Sequence, residues 1–179
     1  MKDLKEFNVH FVGLKEGGHL FEYKIDNTFF EFFNYDEFLK SKIKIQLNFT
    51  KKNTHFELDF IAKGYVNIPC DTTSELFDLD VNPSVSIVVK FGPEFNDDNE
   101  QVIIIPYEAN KIDISQYIYE MIILSIPYKR VHPKVLDGTM ESVALLKLQE
   151  LKIKKEKSVS KETDPRWDKL KNIITEKKT

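Results

Sequence analysis

The residues of this chain that could do chemistry are few and widely spaced. Cys70 is the single cysteine, so neither a multi-cysteine zinc site nor an internal disulfide can form. A lone cysteine behind a proline, here Pro69, reads as a small buried hydrophobe at a strand end, or as a nucleophile if the fold brings a histidine near. The four histidines, His10, His19, His55 and His132, lie far apart, with no two at ligand spacing. His10 and His55 fall at strand positions and read as surface or edge residues. Asp97, Asp98 and Glu100 crowd together, but their spacing matches no calcium loop and reads as a solvated turn. Gly17 and Gly18 lack the strand-glycine-helix order of a phosphate cradle and predict a hairpin turn. The reading is therefore of a protein that is not an enzyme, with no catalytic residue, no cofactor and no metal. An enzyme built on Cys70 and a histidine is kept only as an alternative class.

Charge is more informative. The net charge is -3, yet residues 147–179 hold 11 Lys/Arg against 6 Asp/Glu, which leaves an acidic body with a basic end. Such an end suits a polyanion such as RNA, or is simply a solvated helix face. Within it, Lys154, Lys155, Lys157 and Lys161 fall in residues 152–163, a lysine-rich stretch almost without apolar residues that reads as a mobile linker. Earlier, Tyr128-Lys129-Arg130-Val131-His132-Pro133 follows a predicted helix end. Its Lys129, Arg130 and His132 can answer either the helix dipole or an RNA phosphate.

Asp164-Pro165-Arg166-Trp167 opens the last segment and holds the only tryptophan. Asp before Pro is a helix-start pattern, because the carboxylate accepts from a first-turn amide and the fixed φ of proline suits the first helical position. Trp167, Leu170, Ile173 and Ile174 then share one face. A helix this short is unstable alone in water, so its stripe needs a partner's surface or the chain's own sheet.

The elements that must carry these residues are mostly strands. Residues 7–14 and 20–26 alternate loosely and predict two strands around Gly17-Gly18. Residues 27–39 hold Phe29, Phe30, Phe32, Phe33, Tyr35 and Phe38 at neither period, which predicts a short helix and loop over the sheet. Those rings read as core in preference to a platform for stacked bases. Ile43, Ile45, Leu47 and Phe49 alternate cleanly, answered across Lys51-Lys52-Asn53-Thr54 by Phe56, Leu58, Phe60 and Ala62, a hairpin with one polar face. A separate extended piece follows Gly64, then strands at 75–81, 84–91 and 102–105, with an acidic, turn-rich stretch over 92–101. At Asp113 the period becomes helical. Asp113 and Gln116 are spaced as a capping box, Ile114, Tyr117, Ile118, Met121, Ile122 and Ser125 form the inner face, and Pro127 ends the helix. A second helix is predicted over 139–151.

At 179 residues, with 14 Phe and 41% hydrophobic content, the chain is long enough for one real core. The predicted fold is α+β, a curved or barrel-like antiparallel β-sheet with one or two packed helices and a tethered C-terminal helix. The expected domains are 1–151 for the β-rich body, 152–163 for the linker and 164–179 for the terminal helix and tail. No stretch resembles a signal peptide or approaches the ~18 apolar residues of a membrane span. With one cysteine, this predicts a soluble, cytoplasmic protein.

Three segments in order resemble one family. Gly64-Tyr65-Val66-Asn67-Ile68-Pro69-Cys70-Asp71 looks like a strand leading into a cysteine-aspartate turn. Ile112-Asp113-Ile114-Ser115-Gln116, through Glu120 to Leu124-Ser125-Ile126-Pro127, looks like an acidic-capped helix ending in Leu-x-x-Pro. Asp164-Pro165-Arg166-Trp167 with Leu170 is similar to a C-terminal signature. Together, over about residues 8 to 174, they resemble the YceD proteins, the large ribosomal RNA subunit accumulation proteins. The resemblance implies a noncatalytic role in large-subunit production, with large-subunit (23S) ribosomal RNA or a ribosomal protein as partner. Lys129, Arg130, His132, Lys154, Lys155, Lys157, Lys161, Arg166 and Trp167 are then the candidate contacts. The alternative is an adaptor that docks the Trp167 helix in a partner protein without touching RNA. One departure stands out: many members carry Cys-x-x-Cys and further cysteines suggestive of zinc, whereas Asp71, Thr72 and Thr73 follow Cys70 here. Where such a cluster braces relatives, this chain must brace by packing, with Phe77, Val131 and Leu136 as candidates.

Overall fold

Alternation of apolar and polar residues builds the centre of the sheet. In the computed structural model, which describes residues 4–99 and 101–151, strand β3 (Lys40–Lys51) buries Ile43, Ile45, Leu47 and Phe49 and turns Lys42, Lys44 and Gln46 to solvent. Strand β4 (His55–Pro69) pairs with it and buries Phe56, Leu58, Phe60, Ala62, Val66 and Ile68 on the same face. Each of these side chains other than Ala62 contributes about 1.5–3 kcal/mol relative to exposure. The predicted hairpin is present, and the piece after Gly64 is the continuation of β4. A Cβ at Gly64 would lie 2.6 Å from Ile43 Cα. The long strand therefore needs glycine there for β3 to approach.

The chain then retraces β4 along its other edge. Strands β5 (Leu76–Val81) and β6 (Ser84–Gly92) pair with the two halves of β4 in one continuous register, from Pro69 opposite Leu76 to His55 opposite Lys90. They are a single strand interrupted at Asn82-Pro83, where proline has no amide to donate to a ladder. The Ala62 amide, which donates to the Pro83 carbonyl at 2.9 Å, carries the pairing across the gap.

The full order is β2-β3-β4-β6-β8-β7, with β2 (Gly17–Ile25) at one edge and β7 (Asn96–Asn99) at the other. Strand β8 (Val102–Pro106) lies between β6 and β7, parallel to the first and antiparallel to the second. The sheet is thus mixed and open and has several helices, and the predicted curved or barrel-like antiparallel sheet is incorrect. The physical reason lies in residues 93–99. Their composition predicts a turn, but they cross to the outer edge and run back as β7, so β8 enters the slot beside β6 in the parallel sense.

Two further corrections concern the start of the chain. After a 3-10 turn at Leu4–Phe7, β1 (Asn8–His10) pairs with β9 (Lys111–Asp113), not with β2. Gly17 and Gly18 sit inside the β2–β3 ladder opposite Lys51 and Thr50, so they open a strand and form no hairpin turn. The intervening segment is held by Lys51, whose Nζ donates to the Phe11 and Leu14 carbonyls, each at 2.9 Å.

One face of the sheet is covered. Helix α1 (Asn27–Phe32), capped by Asp26 accepting from the Thr28 amide, buries Phe29 and Phe30. Helix α2 (Ser115–Ser125) buries Ser115, Ile118, Met121 and Ile122, and Tyr119 stacks on Phe33 with centroids 4.3 Å apart. The predicted capping box does not form. Asp113 Oδ1 accepts from the Ser115 amide at 2.9 Å, while Gln116 Nε2 reaches forward to Glu120. Most of the aromatic cluster is core, as expected, but Phe32 stays 52% exposed. The chain divides into two units, Met1–Ser142 and Val143–Thr179, and the described part of the second is helix α4 (Val143–Leu151).

Candidate functional site

The basic segment after α2 is fastened to the turn at the far end of β4. Residues 70–75 reverse the chain into β5, with Ser74 in the left-handed region at φ 59° and its amide donating to the Cys70 carbonyl at 2.8 Å. Three bonds join this turn to the segment. The Asp71 amide donates to the Arg130 carbonyl at 2.8 Å, the Arg130 amide to Asp71 Oδ2 at 2.6 Å, and the His132 amide to Cys70 Sγ at 3.3 Å. Two of the segments singled out in the sequence thus meet in space.

Arg130 draws in a third element. Its Nη1 donates to Glu37 Oε2 at 2.7 Å, and its Nε lies 3.8 Å from Asp71 Oδ1. The Tyr35 hydroxyl donates to the same Glu37 oxygen at 3.1 Å. Burial, followed by the charge of Glu37, pushes that hydroxyl up to about 12, so it remains a neutral donor. Glu37 carried no local sequence signal, because Arg130 is more than ninety residues away, and Tyr35 was legible only as one ring of the aromatic cluster.

His132 and Cys70 are likewise committed to the fold. The His132 ring accepts from the Lys134 amide through Nδ1 at 3.0 Å, capping the short helix α3 (Pro133–Leu136), and lies 5.3 Å from the Phe77 ring. Burial raises the Cys70 thiol, but the His132 amide, the Thr73 hydroxyl and the Thr72 and Thr73 amides outweigh it and bring the thiol down to about 7. The bracing is therefore partly hydrogen-bonded. Phe77 and Val131 pack into the core as predicted, whereas Leu136 is 74% exposed because α3 is a single turn with no buried residue.

Of the candidate contacts, Lys129, Arg130 and His132 are brought to one place, with Lys129 exposed and the other two half-buried and bonded as above. Lys154, Lys155, Lys157, Lys161, Arg166 and Trp167 lie outside the described residues, as do the predicted linker and terminal helix. Beside α2, Val85, Ile87, Ile103, Met121 and Leu124 line a groove of about 440 Å³ with Asp97 and Glu120 among its polar groups. Tyr117 in that groove is pushed up to about 12 by burial and by Asp97, Glu120 and Asp113. The groove can seat an apolar side chain and offers it no nucleophile-base pair. Among the described residues no three His, Cys, Asp or Glu side chains gather as metal ligands, and no helix is long and apolar enough to cross a membrane.

A family model described as large ribosomal RNA subunit accumulation protein YceD matches residues 58–174, about two thirds of the chain. The match begins within β4 and spans all three segments of the resemblance, leaving the N-terminal strands outside it. Comparison with curated proteins and with solved structures returns no match.

Proposed function

The chain belongs to the YceD family of large ribosomal RNA subunit accumulation proteins, a noncatalytic family of ribosome biogenesis, and from that premise we propose that it acts by binding large-subunit (23S) ribosomal RNA. The observation that carries this reading is the segregation of charge, with 11 Lys/Arg against 6 Asp/Glu over residues 147–179 on a chain of net charge -3. A basic end attached to an acidic body is drawn to a polyanion while the body is repelled, which favours a tethered grip over wholesale adhesion. Lys154, Lys155, Lys157, Lys161 and Arg166 are the proposed phosphate contacts, and exposed Lys129 adds a cation on the body. The other two candidates in its segment serve mainly to hold that segment in place. Arg130 is engaged by Glu37 and Asp71, and His132 caps α3.

A ribosomal protein is the alternative partner, and the Trp167 stripe is the observation that favours it. The two readings separate by salt. Neutralising Lys154, Lys155, Lys157 and Lys161 to Gln should flatten the dependence of log K on log salt for 23S RNA by about three, at roughly 0.7 per phosphate contact on single strands. An unchanged slope would remove the electrostatic role. Capture of a ribosomal protein that survives high salt and is abolished by Trp167→Ala would establish the adaptor in its place.

A further inference from the structure

The solvent face of the sheet carries a row of lysines in direct register. Lys24 of β2 is paired with Lys44 of β3, and Lys44 with Lys63 of β4. All three are exposed, as are Lys42 and Lys40 further along β3, opposite Tyr65 and Asn67. Like charges facing each other across a ladder are destabilising. Lysines are often placed on edge strands to block sheet-to-sheet pairing, which accounts for Lys24 on β2. It does not account for Lys44 and Lys63, because β3 and β4 are interior strands.

The surroundings offset the row only in part. None of the five lysines makes an ion pair or a side-chain hydrogen bond among the described residues. The carboxylates sharing this face are Glu22, Asp78 and Asp80 nearby and Glu57 and Asp59 beyond, and Glu6 and Asp26 line a small cleft with Lys24 at the end of β2. Asp78 accepts from Asn67, Asp59 from Ser86, and Glu57 pairs with Lys52. The nearer end of the face sets five lysines against Glu22, Asp78 and Asp80, a lysine-rich lattice with lysines about 5 Å apart across strands and about 7 Å apart along β3. Tyr65, half-buried within it, offers a ring edge or face to an unstacked base.

We propose that this face, centred on Lys24, Lys44 and Lys63 with Lys42, Lys40 and Tyr65 beside them, is a docking surface for the sugar-phosphate backbone of single-stranded RNA. The inference rests on the reading of the chain as an RNA-binding factor and adds a second, rigid contact to the basic C-terminal end. A run of phosphates satisfies several lysines of one row at once and offsets the repulsion that the fold otherwise carries. RNA is favoured over an acidic peptide because the lattice combines regularly spaced cations with an aromatic ring, the pairing that grips single strands.

The test titrates the full chain against a single-stranded uridine oligonucleotide over a range of salt, with poly-glutamate as the competing polyanion. Replacing Lys24, Lys44 and Lys63 together by Gln should lower RNA affinity on the order of 10-fold near physiological salt and flatten the log-log salt slope by about two. The same variant should melt at an equal or higher temperature, because facing like charges have been removed. The Lys→Arg triple should keep the slope. Wild-type affinity in the Gln triple, alongside a loss in the variant neutralised at Lys154, Lys155, Lys157 and Lys161, overturns the sheet face and leaves the RNA reading standing. Failure of the wild-type chain to bind the oligonucleotide even at low salt overturns both. Equal binding of poly-glutamate, lost in the same variant, overturns the assignment to RNA.

Discussion

Burial alone would keep the Cys70 thiol protonated, yet the amides of His132, Thr72 and Thr73 and the Thr73 hydroxyl converge on its sulfur and lower it to about 7 from an ordinary 9.0. A group whose folded value lies below its unfolded one stabilises the fold above the unfolded value and loses that contribution as pH falls through the folded one. Stability should therefore rise between about pH 7 and pH 9, and Cys70→Ser should remove that part of the slope in urea midpoints measured across the window. Asp71 makes a different contribution. Its carboxylate accepts the Arg130 amide at 2.6 Å and flanks the guanidinium, so Asp71→Ala should destabilise by about 1–2 kcal/mol in urea denaturation. Loss of less than a few tenths would mean that the turn and the basic segment hold together without it.

At the scale of elements, the long strand β4 organises the sheet, with β3 on one edge and the interrupted β5–β6 strand on the other. Its weak point is Gly64. Gly64→Ala would drive a methyl into the β3 backbone and should cost about 2 kcal/mol or more, read as a lower urea midpoint with an unchanged m-value. The alternation of Ile43 to Phe49 and Phe56 to Ala62 made β3, β4 and their hairpin legible from sequence, because period two states both the element and its buried face. Strand direction was not legible. Val102 to Ile105 is apolar throughout and reads the same whichever way it runs, and polar Asn96 to Asn99 gave no sign of the edge strand that reverses it. The candidate site divides in the same way. The composition of Lys129 to His132 was visible, while the commitment of Arg130 to Glu37 depends on a tertiary contact that no local pattern encodes. The lysines of β2, β3 and β4 could be read as polar positions, but their alignment into one row needs the register.

For the whole molecule, two groups of basic residues accompany an acidic body. One is the C-terminal stretch read from composition, and the other is the row Lys24, Lys44 and Lys63 set by strand pairing. An enzyme concentrates unpaired polar groups at a cleft, whereas the turn at Cys70, Arg130 and His132 spends its polar groups on one another. The chain belongs to a ribosome-biogenesis family, and the work proposed for it is binding. The most direct measurement is the affinity of the full chain for 23S ribosomal RNA as a function of salt. A log-log slope of about -4 or steeper is expected, at roughly 0.7 for each of the proposed phosphate contacts, flattened by neutralising lysines in the C-terminal stretch and unaffected by Cys70→Ser. Binding that ignores salt, or no binding at low ionic strength, would contradict it.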